Sequence, residues 1–267
     1  MWIDTHCHLD AHEFGAESLA VAGRALAAGV SMIVIPAVDR FNFDPVAELA
    51  GAAPNASYAL GIHPIYVPKA TEDDLATLRA KVGAALADPR FVAIGEIGLD
   101  FFIPMLAEPA MREKQDYFLR EQLRIARDFD LPVLMHVRRS QDQVLKHVRQ
   151  IRPAGGIAHA FNGSFQQAQA YIDLGFKLGF GGAMTFTRAL QIRRLASTLP
   201  LGAIVLETDA PDISPAWIHP ARNRPEHLPA IGAALAELRG IAVQEVASST
   251  RASAFAALPR LRSLLGA

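Results

Sequence analysis

The stretch MWIDTHCHLD (residues 1–10) decides the fold. It begins as an apolar strand. An open, doubly wound nucleotide-binding sheet would follow its first strand with a glycine-rich phosphate turn, and here His6-Cys7-His8 stands in that place. Side chains of a strand alternate between faces, so His6 and His8 point one way and Cys7 the other. The thiol is therefore expected to pack outward as a small buried hydrophobe, with both imidazoles facing an interior. Taken alone, an H-x-H pair is as readily two polar strand-end residues as half of a metal site.

Working outward, strand-like runs at 2–8, 31–38, 57–63, 91–98, 132–138, 156–161, 176–182 and 203–209 alternate with helix-period segments. The helical segments are 16–28, 71–87, 110–129, 141–150, 165–174 and 187–198, and two more, 226–239 and 243–257, end the chain. Near-continuous apolar strands alternating with helices imply a parallel sheet covered on its outer face. Eight such units in 267 residues predict an α/β fold of the (β/α)8 TIM-barrel type with extra C-terminal helices. No low-complexity linker interrupts the series, so a single domain over 1–267 is expected.

Composition narrows the function classes. With 51% hydrophobic and 20% charged residues the chain can bury a core and is not disordered. A net charge of −1 provides no global basic field, so a polyanionic partner would need a local patch. The single cysteine excludes an internal disulfide framework and fits a reducing compartment. No basic and apolar leader is visible, and the stretch 25–38 is broken by Gly29, Ser31 and Pro36 and too short to span a bilayer. The expectation is a cytoplasmic protein without a membrane partner.

In a barrel, catalytic groups gather at the C-terminal strand ends. Five of the nine histidines fall there: His6, His8, His63, His136 and His159. The other four, His12, His147, His219 and His227, read as solvated side chains of helices and loops. GEIGLD (95–100) puts Glu96 in an apolar strand, where a carboxylate is costly unless paired or bound to a cation. VLETDAP adds Glu207 and Asp209 on one face of the last strand. His6, His8, Glu96, His136, His159 and Asp209 are too many for one tetrahedral ion but suit two divalent ions sharing a carboxylate. Such a pair activates water for hydrolysis of an ester, amide or phosphoester.

The segments DTHCHLD, GIHP, GEIGLD, LMHVRR, HAFNGS, ETDAPD and RNRPEH, in order from residue 4 to about residue 226, together resemble the TatD family of metal-dependent deoxyribonucleases within the amidohydrolase superfamily. The resemblance implies one metal on His6, His8 and Asp209, with Glu96 bridging to a second on His136 and His159. It also implies catalytic roles for Glu96 and Asp209, the latter taking a proton from the attacking water. The implied substrate is DNA, or RNA, cleaved in 3'-5' exonuclease fashion. Four imidazoles favour zinc or another late transition ion, whereas the family is described as magnesium-dependent; zinc, manganese and magnesium stay open. The chain departs from the family at Ala160 and Asn162, where cysteine and serine are usual, and after Asp100, where the usual tyrosine is missing.

Around these residues, Glu207 is expected to hold the outer ring nitrogen of one N-terminal histidine. Arg138, one pleat above His136, suits a phosphate, as do Arg222 and Arg224 beyond the eighth strand, with Arg139 and Arg188 completing a basic rim. His63 reads either as a substrate contact or as a structural strand-end residue. Two other functions fit the same residues. One is a metal-dependent deacylase or amidohydrolase acting on an ester or amide, such as an aminoacyl ester. The other is a catalytically silent nucleic-acid-binding protein.

Overall fold

A computed structural model describes residues 1–266. Eight strands run parallel, each hydrogen-bonded to the next in chain order: β1 (Trp2–Asp4), β2 (Val30–Pro36), β3 (Ala56–Leu60), β4 (Phe91–Asp100), β5 (Val133–Arg138), β6 (Gly156–Ala158), β7 (Phe176–Phe180) and β8 (Ile204–Leu206). The sheet curls into a nearly closed barrel. Its seam between β8 and β1 is bridged by backbone bonds from Thr5 N to Leu206 O (3.1 Å), Asp209 N to His6 O (2.9 Å) and His8 N to Ala210 O (2.8 Å). Two residues flanking the seam complete it: the Asp4 carboxylate, wholly buried, accepts from the amide (2.9 Å) and hydroxyl (2.6 Å) of Thr208. Residues 6, 8 and 209 are thereby tied together by main chain before any side chain is considered.

The expected strands at 2–8, 156–161 and 203–209 are shorter than the apolar pattern suggested. Their last residues leave the ladder to present side chains at the mouth, and Asp209 (φ 53°) and Ala160 (φ 44°) turn the chain through the left-handed region there. Among the described residues ten α-helices accompany the barrel: α1 (Ser18–Ala27), α2 (Phe43–Ala52), α3 (Glu72–Ala85), α4 (Pro109–Asp128), α5 (Gln141–Ile151), α6 (Phe165–Asp173), α7 (Leu190–Thr198), α8 (Leu228–Arg239), α9 (Val243–Ala257) and α10 (Leu261–Leu265). α3 starts in a capping box of Thr71 and Asp74, α6 in one of Ser164 and Gln167, and α4 has Pro109 in its first turn, where a missing N–H costs nothing. α2 and α10 lie outside the helical segments that the sequence periodicity marks. α2 is short and rich in alanine and glycine, and its buried stripe is only Phe43, Val46 and Ala50.

The C-terminal helices plug the barrel. Inward residues Ile3, Val34, Leu134 and Val205 form one cluster with Phe255 and Leu258 of the α9–α10 region. The Arg260 side chain, between α9 and α10, donates to the carbonyls of Leu86, Asp88 and Phe91 at the start of β4. That end is sealed, which leaves the opposite, C-terminal end of the strands as the open mouth. Among the described residues no helix is long and apolar enough to cross a membrane.

Candidate metal centre

Glu96 lies at the centre of the mouth, 1% exposed. Its Oε2 faces His6 Nε2 at 3.1 Å and His8 Nε2 at 3.4 Å. Its Oε1 faces His136 Nδ1 at 2.9 Å, His63 Nε2 at 3.4 Å and His159 Nε2 at 3.7 Å. One carboxylate thus looks at two separate groups of imidazoles. Asp209 stands beside the first group, with Oδ1 3.7 Å from both His6 Nε2 and His8 Nε2, and its Oδ2 is 4.0 Å from His159 Nε2. All six residues singled out as ligands in the sequence are brought to one cup.

Three sets of donors lie close enough to share an ion: His6, His8 and Asp209; His6, Glu96 and His159; and His63, Glu96 and His136. The first is the set expected for one metal. The second metal's expected set is divided, since His159 stacks on His6 (ring centroids 3.8 Å apart) while His136 groups with His63. His63 also lies beside His136, Nε2 to Nδ1 at 3.1 Å, but its own Nδ1 accepts the amide N–H of Ile65 at 3.1 Å. A neutral ring that accepts at Nδ1 carries its proton on Nε2, the atom that faces the cup. His63 therefore presents an N–H there, not a lone pair.

The outer ring nitrogens of His159 and His136 are held by carboxylates, as oriented metal-binding histidines require. His159 Nδ1 lies 3.2 Å from Glu207 Oε1, and the amide of Ala160 donates to the same oxygen. The expected partnership of Glu207 with an N-terminal histidine is thus corrected. The reason is strand order: Glu207 leans toward β7 and β6 rather than across the seam, and the Nδ1 of His6 is left without a partner. His136 Nε2 lies 3.2 Å from Asp100 Oδ2, a contact missed in the sequence. The signal was available, because Asp100 ends the same strand that carries Glu96.

The electrostatics suit a cation. Burial opposes ionisation of Glu96, but the surrounding histidines His63, His6 and His159 and the hydrogen bond from His136 hold it well below the usual carboxylate range. Burial likewise opposes charging of His8 and His159. The carboxylates nevertheless win, pushing His8 up to about 9 through Glu96 and Asp209, and His159 up to about 10 through Glu207, Asp209 and Glu96. Burial, helped by His136 and His8, takes His63 down to about 4 against the pull of Glu96. Protons stand in here for positive charge that the carboxylates demand, and a mixed imidazole and carboxylate donor set fits divalent transition ions.

A pocket of about 1130 Å³ opens above these groups and is lined among others by Asp39, Tyr66, Phe102, Arg138, Arg139 and Ile213. A second groove of about 710 Å³ adjoins it through Pro211 and Asp212 and carries Phe186, Arg188, His219 and Arg222. The basic rim expected from the sequence is present only in part. Arg138, Arg139 and Arg188 are exposed. Arg222 instead turns its guanidinium over Phe14, donates to the carbonyl of Glu13 and approaches Glu17. Arg224 lines neither cavity and lies 3.6 Å from Glu226. Each therefore has an acidic neighbour, Glu17 supplied by the fold and Glu226 by the adjacent sequence. Cys7 is buried among the barrel–helix contacts, as expected. His147, read as solvated, is buried and bonded to Asp116 at 3.1 Å between α4 and α5; His227 is half-buried, with Nδ1 3.0 Å from Asn223 Oδ1.

Comparison with known proteins places these features in context. Residues 3–258 match the family model described as TatD related DNase. The chain is 39% identical over 249 residues to an uncharacterized metal-dependent hydrolase, YjjV, of Escherichia coli, covering 93% of this chain and 94% of that one. The crystal structure of the same TatD homologue superposes with a TM-score of 0.90 over 97% of this chain and 98% of its own, at 36% identity. A Citrobacter rodentium protein named 3'-5' ssDNA/RNA exonuclease TatD is 30% identical over 262 residues, covering 94% of this chain and 95% of its own length.

Proposed function

This chain belongs to the TatD family of metal-dependent hydrolases, and we propose that within it the protein is a phosphodiesterase that attacks an end of single-stranded DNA or RNA with an activated water. The observation that carries the reading is the division of Glu96, one oxygen toward His6 and His8 and the other toward His136. His6, His8 and Asp209 would hold one divalent cation, Glu96 would bridge, and His136 and His159 would hold a second. Bound there, two divalent cations supply Lewis acidity to a water and to a phosphoryl oxygen.

The side chains of this chain do the rest. Asp209 is part-exposed beside the two N-terminal histidines, so its carboxylate can orient the attacking water and accept its proton. Glu207 and Asp100 fix the rings of His159 and His136 so that a lone pair faces the cup. The Nε2–H of His63 points at the same space and is placed to donate to a phosphoryl oxygen as charge develops on it. Arg138 stands at the rim with Nη1 3.9 Å from Asp100, where its planar fork can pair the non-bridging oxygens of the phosphate.

Phosphorus rather than a carbonyl is favoured by this rim, and by the name of the Citrobacter relative. The test is metal analysis of the purified chain together with a hydrolysis panel in manganese, magnesium or zinc. The panel contains oligonucleotides labelled at either end, aminoacyl esters and simple carboxylic esters. Turnover of oligonucleotide ends supports the reading. Turnover confined to carboxylic esters transfers the same water to a deacylase, and none at all would leave a silent binding protein.

A further inference from the structure

Among the described residues, the most exposed large aromatics are Phe41, Tyr66, Phe102 and Trp217, and each stands on a loop that follows a barrel strand. Phe102 differs from the rest in what surrounds it. Its ring, 43% exposed, has the guanidinium carbon of Arg138 3.8 Å and that of Arg139 4.7 Å from its centroid. All three residues line the pocket above the candidate metal centre. Arg139 has no carboxylate within ion-pair distance among the described residues, and Arg138 has only Asp100 at 3.9 Å. Two guanidinium groups that are nearly free of counter-charge are held against one ring beside the reaction centre.

The ring is also mechanically tied to that centre. Asp100 Oδ1 accepts the amide N–H of Phe102 at 2.8 Å and that of Ile103 at 3.1 Å, while its other oxygen faces His136 Nε2 at 3.2 Å. One buried carboxylate therefore sets both the orientation of a candidate metal ligand and the position of the aromatic. The solvent-facing part of the ring buries no apolar surface in the fold and is free to meet a ligand. Joined to cationic planes at a site for a phosphodiester, it has the composition of a platform on which nucleobases stack while arginines track the backbone.

We infer that Phe102, with Arg138 and Arg139, is a base-stacking platform that selects substrates with an unpaired nucleobase next to the scissile phosphate. The inference rests on the phosphodiesterase reading and adds to it which side chains would recognise the unpaired base. Stacking reads a π-face and not a hydrogen-bond pattern, so the platform tolerates any base.

Two measurements on the full-length chain test it. In the first, EDTA prevents hydrolysis, and the probe is a thymidine pentanucleotide with 2-aminopurine at one terminus, each terminus in turn; the control has an abasic unit there. The wild type is expected to quench 2-aminopurine at one terminus and to bind that oligonucleotide about tenfold tighter than the abasic one. Phe102→Ala removes both effects, and Phe102→Trp restores them. Removing Arg139 as Arg139→Ala lowers the slope of log affinity against log salt by about one. The platform is overturned if the Phe102→Ala protein quenches and discriminates like the wild type, or if the wild type does not discriminate at all. The second measurement is cleavage of the same oligonucleotides with manganese. Stacking without cleavage sinks the phosphodiesterase reading alone, and cleavage indifferent to the terminal base sinks the platform alone.

Discussion

Gly179 and Glu207 compete for one volume: a Cβ built on Gly179 would lie 2.1 Å from Oε2 of Glu207. Glu207 is 1% exposed and fixes the outer nitrogen of His159. The glycine on β7 therefore serves the site by leaving room for a carboxylate that reaches from the end of β8 across to the end of β6. Gly179→Ala should displace Glu207 and reproduce the defect of Glu207→Gln, each lowering turnover or metal affinity about 10–100-fold. Steady-state kinetics with metal titration compares the two; a Gly179→Ala protein with wild-type behaviour would refute the coupling.

Removing the charge of Glu96 tests the bridge. Glu96→Gln keeps the shape but lowers the charge between two imidazole groups. The expected result is a fall from two bound ions to one or none by elemental analysis, with hydrolysis down by at least about a thousandfold, as for loss of a major electrostatic stabiliser. Two ions retained at full occupancy would show that Glu96 does not join them.

His63 separates ligand from donor. Because its Nδ1 accepts from Ile65, its inward nitrogen carries a hydrogen. His63→Gln should leave the metal content unchanged while turnover falls about a hundredfold, the scale of one lost donor to a developing oxyanion. Loss of an ion from this variant would make His63 a ligand instead.

Protons and metal compete for the same rings. In the metal-free protein His8 and His159 titrate near 9 and 10 and are charged at neutral pH. Loading metal at pH 7 should release about two protons, and apparent affinity should rise with pH until those values are passed. Calorimetry in buffers of different ionisation enthalpy measures this, and binding without proton release would contradict it. The stability sign follows from the same shifts. A raised folded pKa contributes stabilisation fully present below about 6.5 and lost as pH rises through 9 to 10. Metal-free protein should melt progressively lower across that window, and metal-loaded protein should resist the change.

The plug at the closed end should matter for folding and not for chemistry. Leu258 and Leu261 are fully buried against the inner strand residues. Leu258→Ala should destabilise by about 3 kcal/mol, lowering Tm by about 6–12 °C. Turnover at low temperature should match the wild type, because the mouth lies at the other end of the barrel. A catalytic defect without a fall in Tm would show that the plug reaches the site.

The sequence by itself determined the barrel and the six residues of the cup. Strand and helix periods are local properties, and an isolated glutamate or histidine in an apolar run reports its own unusual environment. It also placed Cys7 on the face opposite His6 and His8 by alternation alone. Tertiary structure decided everything that depends on which neighbours meet. The seam with β1 and the lean toward β6 gave Glu207 to His159; an amide two residues on fixed the tautomer of His63; Glu13 and Glu17, distant in sequence, engaged Arg222. Asp100 shows the division most plainly. Its position at a strand end is visible in GEIGLD, and its bond to the amide of Phe102 is a local turn, but that its other oxygen holds His136 follows only from the register of β4 against β5, a pairing that no local pattern encodes.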